Sequence, residues 1–146
     1  MSLVYAMAAT LGREVRACNN VAGEKVFTKG GGLSVYAPTM NVYRDPRWGR
    51  GQESISEDPF LNGEYATAFV RGIQGFSEEG DSLDPHLLTS STCKHLAAYS
   101  FEGNASNAAV TRHNFDAIVD ERDLVETYLP AFEAHIHIYF PPKPCY

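Results

Sequence analysis

The sequence predicts an α/β fold with parallel strands. Three observations lead there. Apolar periodicity switches between helical and strand-like along the chain, in the order helix, strand, helix, strand, helix. Two polar clusters stand where strand patterns end, which is where parallel sheets bind ligands. Apolar residues make up 44% of the 146 residues, enough for a core in a chain of one domain's length.

The elements follow in order. Residues 3–18 read as a helix, with Leu3, Met7, Leu11 and Val15 on one stripe and Val4, Ala8 and Cys18 beside it. Asn19 and Asn20 suit its end. The connection "GEKVFTKGGG" is turn-rich, and Gly30, Gly31 and Gly32 block regular structure. "LSVYAPTMNVY" favours a strand, broken within or after it by Pro38. A charged loop, "YRDPRWGRGQESISEDP", comes next. A second helix starts near Ser56 as its N-cap, with Glu57 and Asp58 at the positive end of the dipole and Pro59 in the first turn. Leu61, Tyr65, Ala68, Phe69 and Ile73 form its apolar face, and Gly72 and Gly75 mark its decay. "FSEEGDSLDPH" is a polar surface loop. "LLTSSTCKHLAAYS" reads as a strand, apolar at its start and polar at its end. "FEGNASNAAVTRHNF" reads as loop. A third helix opens at Asp120, with Leu124, Val125, Tyr128, Leu129 and Phe132 on one face and Pro130 as a kink or stop. Two parallel strands leave both sheet edges open, so these elements read as part of a larger layout.

Composition excludes several classes. A net charge of −6 argues against a general nucleic-acid binder, which needs a basic face. Cys18, Cys93 and Cys145 are far apart, with no CxxC pair, so structural zinc and a full disulfide framework lack support. The opening residues reach charge too early for a secretory signal. No stretch approaches the roughly 20 apolar residues that span a bilayer. One sequon stands at Asn104, Ala105 and Ser106.

The charged loop holds Arg44, Asp45, Arg47 and Arg50 around Trp48. Buried charges must be paired, so pairs such as Arg44–Asp45 and Arg47–Glu53 are expected to lock it. An arginine left over can aim its fork of donors at a ligand's hydroxyls. Trp48 reads as a packing anchor, and Glu57 and Asp58 as helix-start residues. Lys94 and His95 close the second strand. In a strand they would point to opposite sides, but at a strand end both can face a pocket and bond hydroxyls. His135 and His137 are spaced for one face of a strand, yet no third ligand stands near them in sequence. No dinucleotide, P-loop or nucleophile-elbow motif is present.

Two of these stretches carry a family resemblance. "NVYRDPRWGRGQESISEDP" resembles the signature loop of glycoside hydrolase family 3. "TCKHLAAYSFEG" is similar to its second signature, a Lys-His pair ending the next strand. "TRHNFDAIVDERDLVETYLPAF" resembles the segment that follows in the β-xylosidase branch, and "AMAATLGREVRACNN" the helix before the first signature. The likeness runs from about Leu3 to Ala134. It implies a (β/α)₈ TIM barrel catalytic domain, of which residues 1–134 supply two to three βα units, with a divergent tail at 135–146. It implies exo-acting, retaining hydrolysis of β-linked xylose or glucose oligosaccharides, as in xylan catabolism, without a cofactor. Branch members are commonly secreted. It assigns sugar binding to Arg50, Lys94 and His95. The family's nucleophilic aspartate follows the Lys-His signature on a later strand, its acid/base later still, and another sugar-binding aspartate precedes the first helix. No catalytic residue is therefore assigned, and Asp45, Asp58 and Asp116 are not promoted to that role. The chain alone is expected to lack glycosidase activity. The alternatives are a non-catalytic sugar-binding or structural module, and a fragment that does not fold alone.

Overall fold

A computed structural model describes residues 1–23, 31–104 and 107–139. Among the described residues the backbone is mixed helix and strand, with one parallel and one antiparallel strand pair.

Helix α1 spans Ser2–Ala22 and α2 spans Pro59–Gln74. They pack through small residues. Ala8, Ala9 and Gly12 are the buried positions of α1. A methyl group on Gly72 of α2 would stand 2.5 Å from the Tyr5 carbonyl oxygen and 2.9 Å from the Ala9 nitrogen. One on Gly12 would overlap the Ile73 backbone. Close backbone approach thus selects the small-residue face of α1. The predicted stripe is accordingly displaced: Leu3 is 84% exposed, and Met7 and Leu11 are exposed as well. Gly72 does not mark decay of α2. It lies inside the helix, which ends at Gly75 with a left-handed φ of 88°.

Strand β1 (Ser34–Val35) pairs in parallel with β2 (Ser90–Ser91), in the register Ser34↔Ser90 and Val35↔Ser91. The ladder reaches further than these short strands. Ser90 N–H donates to Leu33 O at 2.7 Å, Lys94 N–H to Pro38 O at 3.1 Å, and Met40 N–H to Lys94 O at 2.7 Å. This zipper brings the end of the first strand segment beside Lys94. The buried Gln74 ties α2 to the sheet, its Oε1 accepting from Ser91 N–H at 3.0 Å.

Two apolar clusters flank α2. Phe69 and Ile73 meet Ala8 of α1, with Val4, Val35, Ala37 and Tyr65 alongside. Ala66 meets Met40, Ala131 and Phe132, with Cys93 packed against them.

Several expectations shift. The N-cap of α2 is Asp58 rather than Ser56: its carboxylate accepts from Phe60 N–H at 2.9 Å, ahead of Pro59 at the first helical position. The Ser56 hydroxyl instead accepts from Asp58 N–H at 2.8 Å. The segment read as loop after Phe101 contains an antiparallel pair, β3 (Gly103–Asn104) and β4 (Asn107–Thr111). Ala105 and Ser106 of the sequon lie outside the described residues, as do Cys145 and most of the glycine-rich connection.

Asp120 caps the third helical segment as expected, accepting from Arg122 N–H at 2.9 Å. The segment begins as α3 (Glu121–Asp123), widens to a π-turn over Leu124–Tyr128, and resumes as α4 (Pro130–Tyr139). Pro130 has no N–H to continue an α-helical ladder, and Leu129 N–H reaches back to Leu124 O at 2.9 Å. Val125 is exposed rather than part of the apolar face. His135 and His137 sit on helical backbone, where a two-residue spacing places them on different faces. Their side chains lie outside the described residues.

Candidate functional site

The site is built where the Arg44–Pro59 loop meets the end of β2. The loop is closed at its base by Tyr43 N–H donating to Ser56 O at 3.1 Å. A tight turn follows, with Trp48 N–H on Asp45 O and Gly51 N–H on Trp48 O, both at 3.0 Å. A side chain at Gly51 would collide with the Tyr43 ring. Trp48 is buried, as its anchoring role requires, and meets the Tyr99 ring edge-on at 5.1 Å.

The loop's charges pair differently from the expected scheme. Arg47 grips Asp45 with two bonds, Nε to Oδ1 at 2.9 Å and Nη2 to Oδ2 at 2.6 Å. The turn places these residues two apart on the same side, which favours Asp45 over Glu53. These bonds and the Arg47 N–H lower the Asp45 carboxyl pKa to about 2. Arg44 leaves the loop for the third helical segment, with Nη1 at 3.4 Å from Asp123 and 3.3 Å from the Tyr128 hydroxyl.

Arg50 is held by Glu53 in the same two-pronged way, Nε to Oε1 at 2.6 Å and Nη2 to Oε2 at 2.8 Å. Its Nη1 donates to the Tyr99 hydroxyl at 3.2 Å. Among the described residues, these contacts engage three of its five N–H groups. The guanidinium is thus fixed in place and still has donors to give.

Lys94 and His95 arrive from the end of β2, joined by a cis peptide bond. The Lys94 ammonium stands 4.0 Å from Glu53 Oε2, too long for a hydrogen bond, so among the described residues its donors are also available. His95 is clamped by the Asn41 amide. Its N–H donates to Asn41 Oδ1 at 2.8 Å, and its carbonyl accepts from Asn41 Nδ2 at 2.7 Å. The His95 ring meets the Tyr99 ring at 4.5 Å. Burial lowers the imidazole pKa, reinforced by Arg50, Lys94 and Arg112 and opposed by Glu53.

The fold therefore sets Arg50, Lys94 and His95 around two shared groups, Glu53 and Tyr99. Arg112, just after β4, completes the cluster. Its Nη1 donates to the Tyr99 hydroxyl at 3.0 Å, and its Nε lies 3.6 Å from Glu102. The Tyr99 hydroxyl itself donates to Glu102. Beside them opens a cleft of about 410 Å³, lined by His95, Tyr99, Phe101, Arg112, His113 and Phe115 among others. Asn41, Tyr99 and Arg112 fall inside the stretches that carry the resemblance, but the resemblance assigned none of them a role. Only Asn41 leaves a hint, a polar residue between two apolar ones in a strand pattern. Among the described residues, no group of three or more His, Cys, Asp or Glu side chains is placed to hold a metal ion. No helix among them is long and apolar enough to cross a membrane.

Comparison with known proteins places this geometry in a family. Residues 4–138 match the model of the glycosyl hydrolase family 3 N terminal domain. The chain is 43% identical over 130 residues to probable beta-D-xylosidase 7 of Arabidopsis thaliana, covering 88% of this chain and 16% of that protein. It is 38% identical over 133 residues to beta-xylosidase/alpha-L-arabinofuranosidase 1 of Medicago sativa subsp. varia, covering 91% of this chain and 16% of that protein. Among solved structures, it resembles a GH3 exo-beta-xylosidase (XlnD) in complex with a xylobiose aziridine activity based probe. That match has a TM-score of 0.71 and 30% identity, over 92% of this chain and 16% of the other. Beta-glucosidase 3B from Thermotoga neapolitana, in complex with glucose, matches with a TM-score of 0.56 and 32% identity, over 91% of this chain and 16% of the other. The chain thus spans about 16% of the length of these relatives. From the family model and these relatives together, the chain belongs to glycosyl hydrolase family 3, through that family's N-terminal domain.

Proposed function

We propose that this chain forms one wall of the sugar-binding subsite of an exo-acting, retaining β-xylosidase or β-glucosidase, and that Arg50, Lys94 and His95 touch the sugar. In this reading residues 1–134 belong to a (β/α)₈ barrel, and the chain contributes two to three of its βα units. The observation that carries the reading is the convergence of three polar side chains from two loops, with donors of Arg50 and Lys94 still available. β-Linked xylose or glucose oligosaccharides offer the row of hydroxyls such a wall would bond.

The same geometry speaks against bond cleavage by this cluster. Retaining hydrolysis needs a nucleophilic carboxylate and a carboxyl group that gives up a proton, about 5–5.5 Å apart across the glycosidic bond. Glu53 has both oxygens on Arg50, and this contact lowers its pKa, the opposite of what a proton donor requires. Glu102 faces Arg112 and accepts from Tyr99. These carboxylates are structural partners of cations. The chain alone is therefore proposed to bind sugar without hydrolysing its glycosides.

Calorimetric titration with xylose and glucose tests the reading. Saturable binding that weakens about tenfold or more in Arg50→Ala and Lys94→Ala supports it. Binding left unchanged by both substitutions would refute it. Release of nitrophenol from a nitrophenyl β-xyloside by the purified chain would refute the non-catalytic part.

A further inference from the structure

We infer that Asn41 is a positioning residue that holds the His95 imidazole in its Nδ1–H tautomer, turning Nε2 into a hydrogen-bond acceptor for a sugar hydroxyl. The proton on Nδ1 follows from hydrogen bonds. The choice of a sugar as the partner rests on the function proposed above.

Asn41 is 3% exposed and lies between buried Met40 and Val42. A buried amide must find partners for both its ends. Here the backbone of His95 supplies them. The His95 N–H can only donate, so the atom it meets at 2.8 Å is the amide oxygen. The His95 carbonyl can only accept, so the atom it meets at 2.7 Å is the amide nitrogen. These two bonds fix the orientation of the amide without reference to the ring.

The oxygen so defined also lies 3.1 Å from His95 Nδ1. An amide oxygen has no proton to give, so Nδ1 must carry the hydrogen. A neutral imidazole has one N–H, which leaves a lone pair on Nε2. Burial disfavours the charged ring first, and the cations Arg50, Lys94 and Arg112 add to it, against the opposing charge of Glu53.

This gives the wall a polarity. Arg50 and Lys94 donate, while His95 accepts. A hydroxyl bound at His95 must donate its proton there. Its oxygen is then free to accept from a neighbouring cation. Adjacent hydroxyls on one ring satisfy that pattern, whereas a methyl ether at the His95 position cannot.

The test is a ring-nitrogen NMR correlation on the full chain with ¹⁵N-labelled histidine at neutral pH. The inference expects a protonated Nδ1 and an unprotonated Nε2 at His95. An Nε2–H tautomer in the unmodified chain would overturn it, with no variant needed. Asn41→Ala is expected to move the proton to Nε2, the form free imidazole prefers. Asn41→Asp is expected to keep the proton on Nδ1 and raise the ring's titration midpoint by about one pH unit or more, as a facing carboxylate does. A merely structural Asn41 would leave tautomer and midpoint unchanged in both. Sugar titration of the same sample separates the two layers. An Nδ1–H ring with no affinity for xylose or glucose would remove the hydroxyl as partner and would count against the proposed function. An Nε2–H ring in a sugar-binding chain would count against the role of Asn41 alone.

Discussion

Arg47 and Arg50 stand three residues apart in one loop, and each holds a carboxylate with two bonds. Their surroundings differ. The Arg47 side chain is 89% exposed and, among the described residues, its polar contacts end at Asp45. The Arg50 side chain is 23% exposed, bonds Tyr99 as well, and shares Glu53 with Lys94 of the next strand. Local pairing alone therefore does not mark a functional arginine. What separates the two is the company that a distant part of the chain brings to one and not the other. The largest contrast should appear on removing each in turn. Arg50→Ala takes away a charged donor with roughly 1.5–3 kcal/mol at stake, so sugar affinity should fall about tenfold or more. Arg47→Ala should leave affinity unchanged and move Tm little, since surface charge pairs contribute little. Calorimetry on both variants checks this. Equal losses would erase the distinction.

Glu53 sharpens the contrast, because both its oxygens hold Arg50 in place. Glu53→Gln keeps the shape but removes the charge that fixes the guanidinium and attracts Lys94. We expect a several-fold loss of affinity, smaller than that of Arg50→Ala. The equivalent change at Asp45 should have no effect on binding. Tyr99→Phe comes next. It keeps the ring against Trp48 and His95 and deletes only the hydroxyl, which Arg50 and Arg112 share. All of that hydroxyl's partners are charged, Arg50, Arg112 and Glu102, but only one of its bonds touches Arg50, which Glu53 still grips with two, so affinity should fall a few-fold. A loss as large as that of Arg50→Ala would mean that Tyr99, rather than Glu53, positions the guanidinium.

The loop and helix order could be read from the residues because turn and cap chemistry is local. Asp120, Pro59 and Gly75 act within a few positions of themselves. Pro130 and its break are local in the same sense. The parallel pairing of the two strand segments followed from their alternation with helices. The partner choices did not follow. Arg47 and Asp45 meet because the turn at Trp48 folds them together, and that turn is not visible in charge spacing. The buried face of α1 was misplaced because apolar size was weighed above fit. Leu3 and Met7 are larger, but Ala8 and Gly12 let the backbones of α1 and α2 approach. The clamp of Asn41 on His95 joins positions 54 apart in sequence. It depends on the register of the ladder between them, which periodicity does not specify. The motif resemblance named Arg50, Lys94 and His95, but not the residues that orient them.

The smallest expected effect concerns acid. The Asp45 carboxyl titrates at about 2 in the folded chain, against an ordinary value near 3.8. A lowered pKa means that the folded state favours the ionised form. The resulting stabilisation is fully present above the unfolded value and is lost as pH falls from there through about 2. Because the pair is solvent-exposed, that contribution should hardly register in a thermal melt. It should register in a carbonyl-carbon NMR titration, with the Asp45 midpoint near pH 2 and a return toward the ordinary range in Arg47→Ala. Glu53 is also lowered, through Arg50 first, and it should rise in Arg50→Ala by the same logic. Sugar affinity then distinguishes the two titrations. Protonating Asp45 should leave binding untouched, while protonating Glu53 should loosen Arg50 and weaken it. A binding curve that instead followed the Asp45 midpoint would reverse the assignment of which arginine is structural and which serves the site.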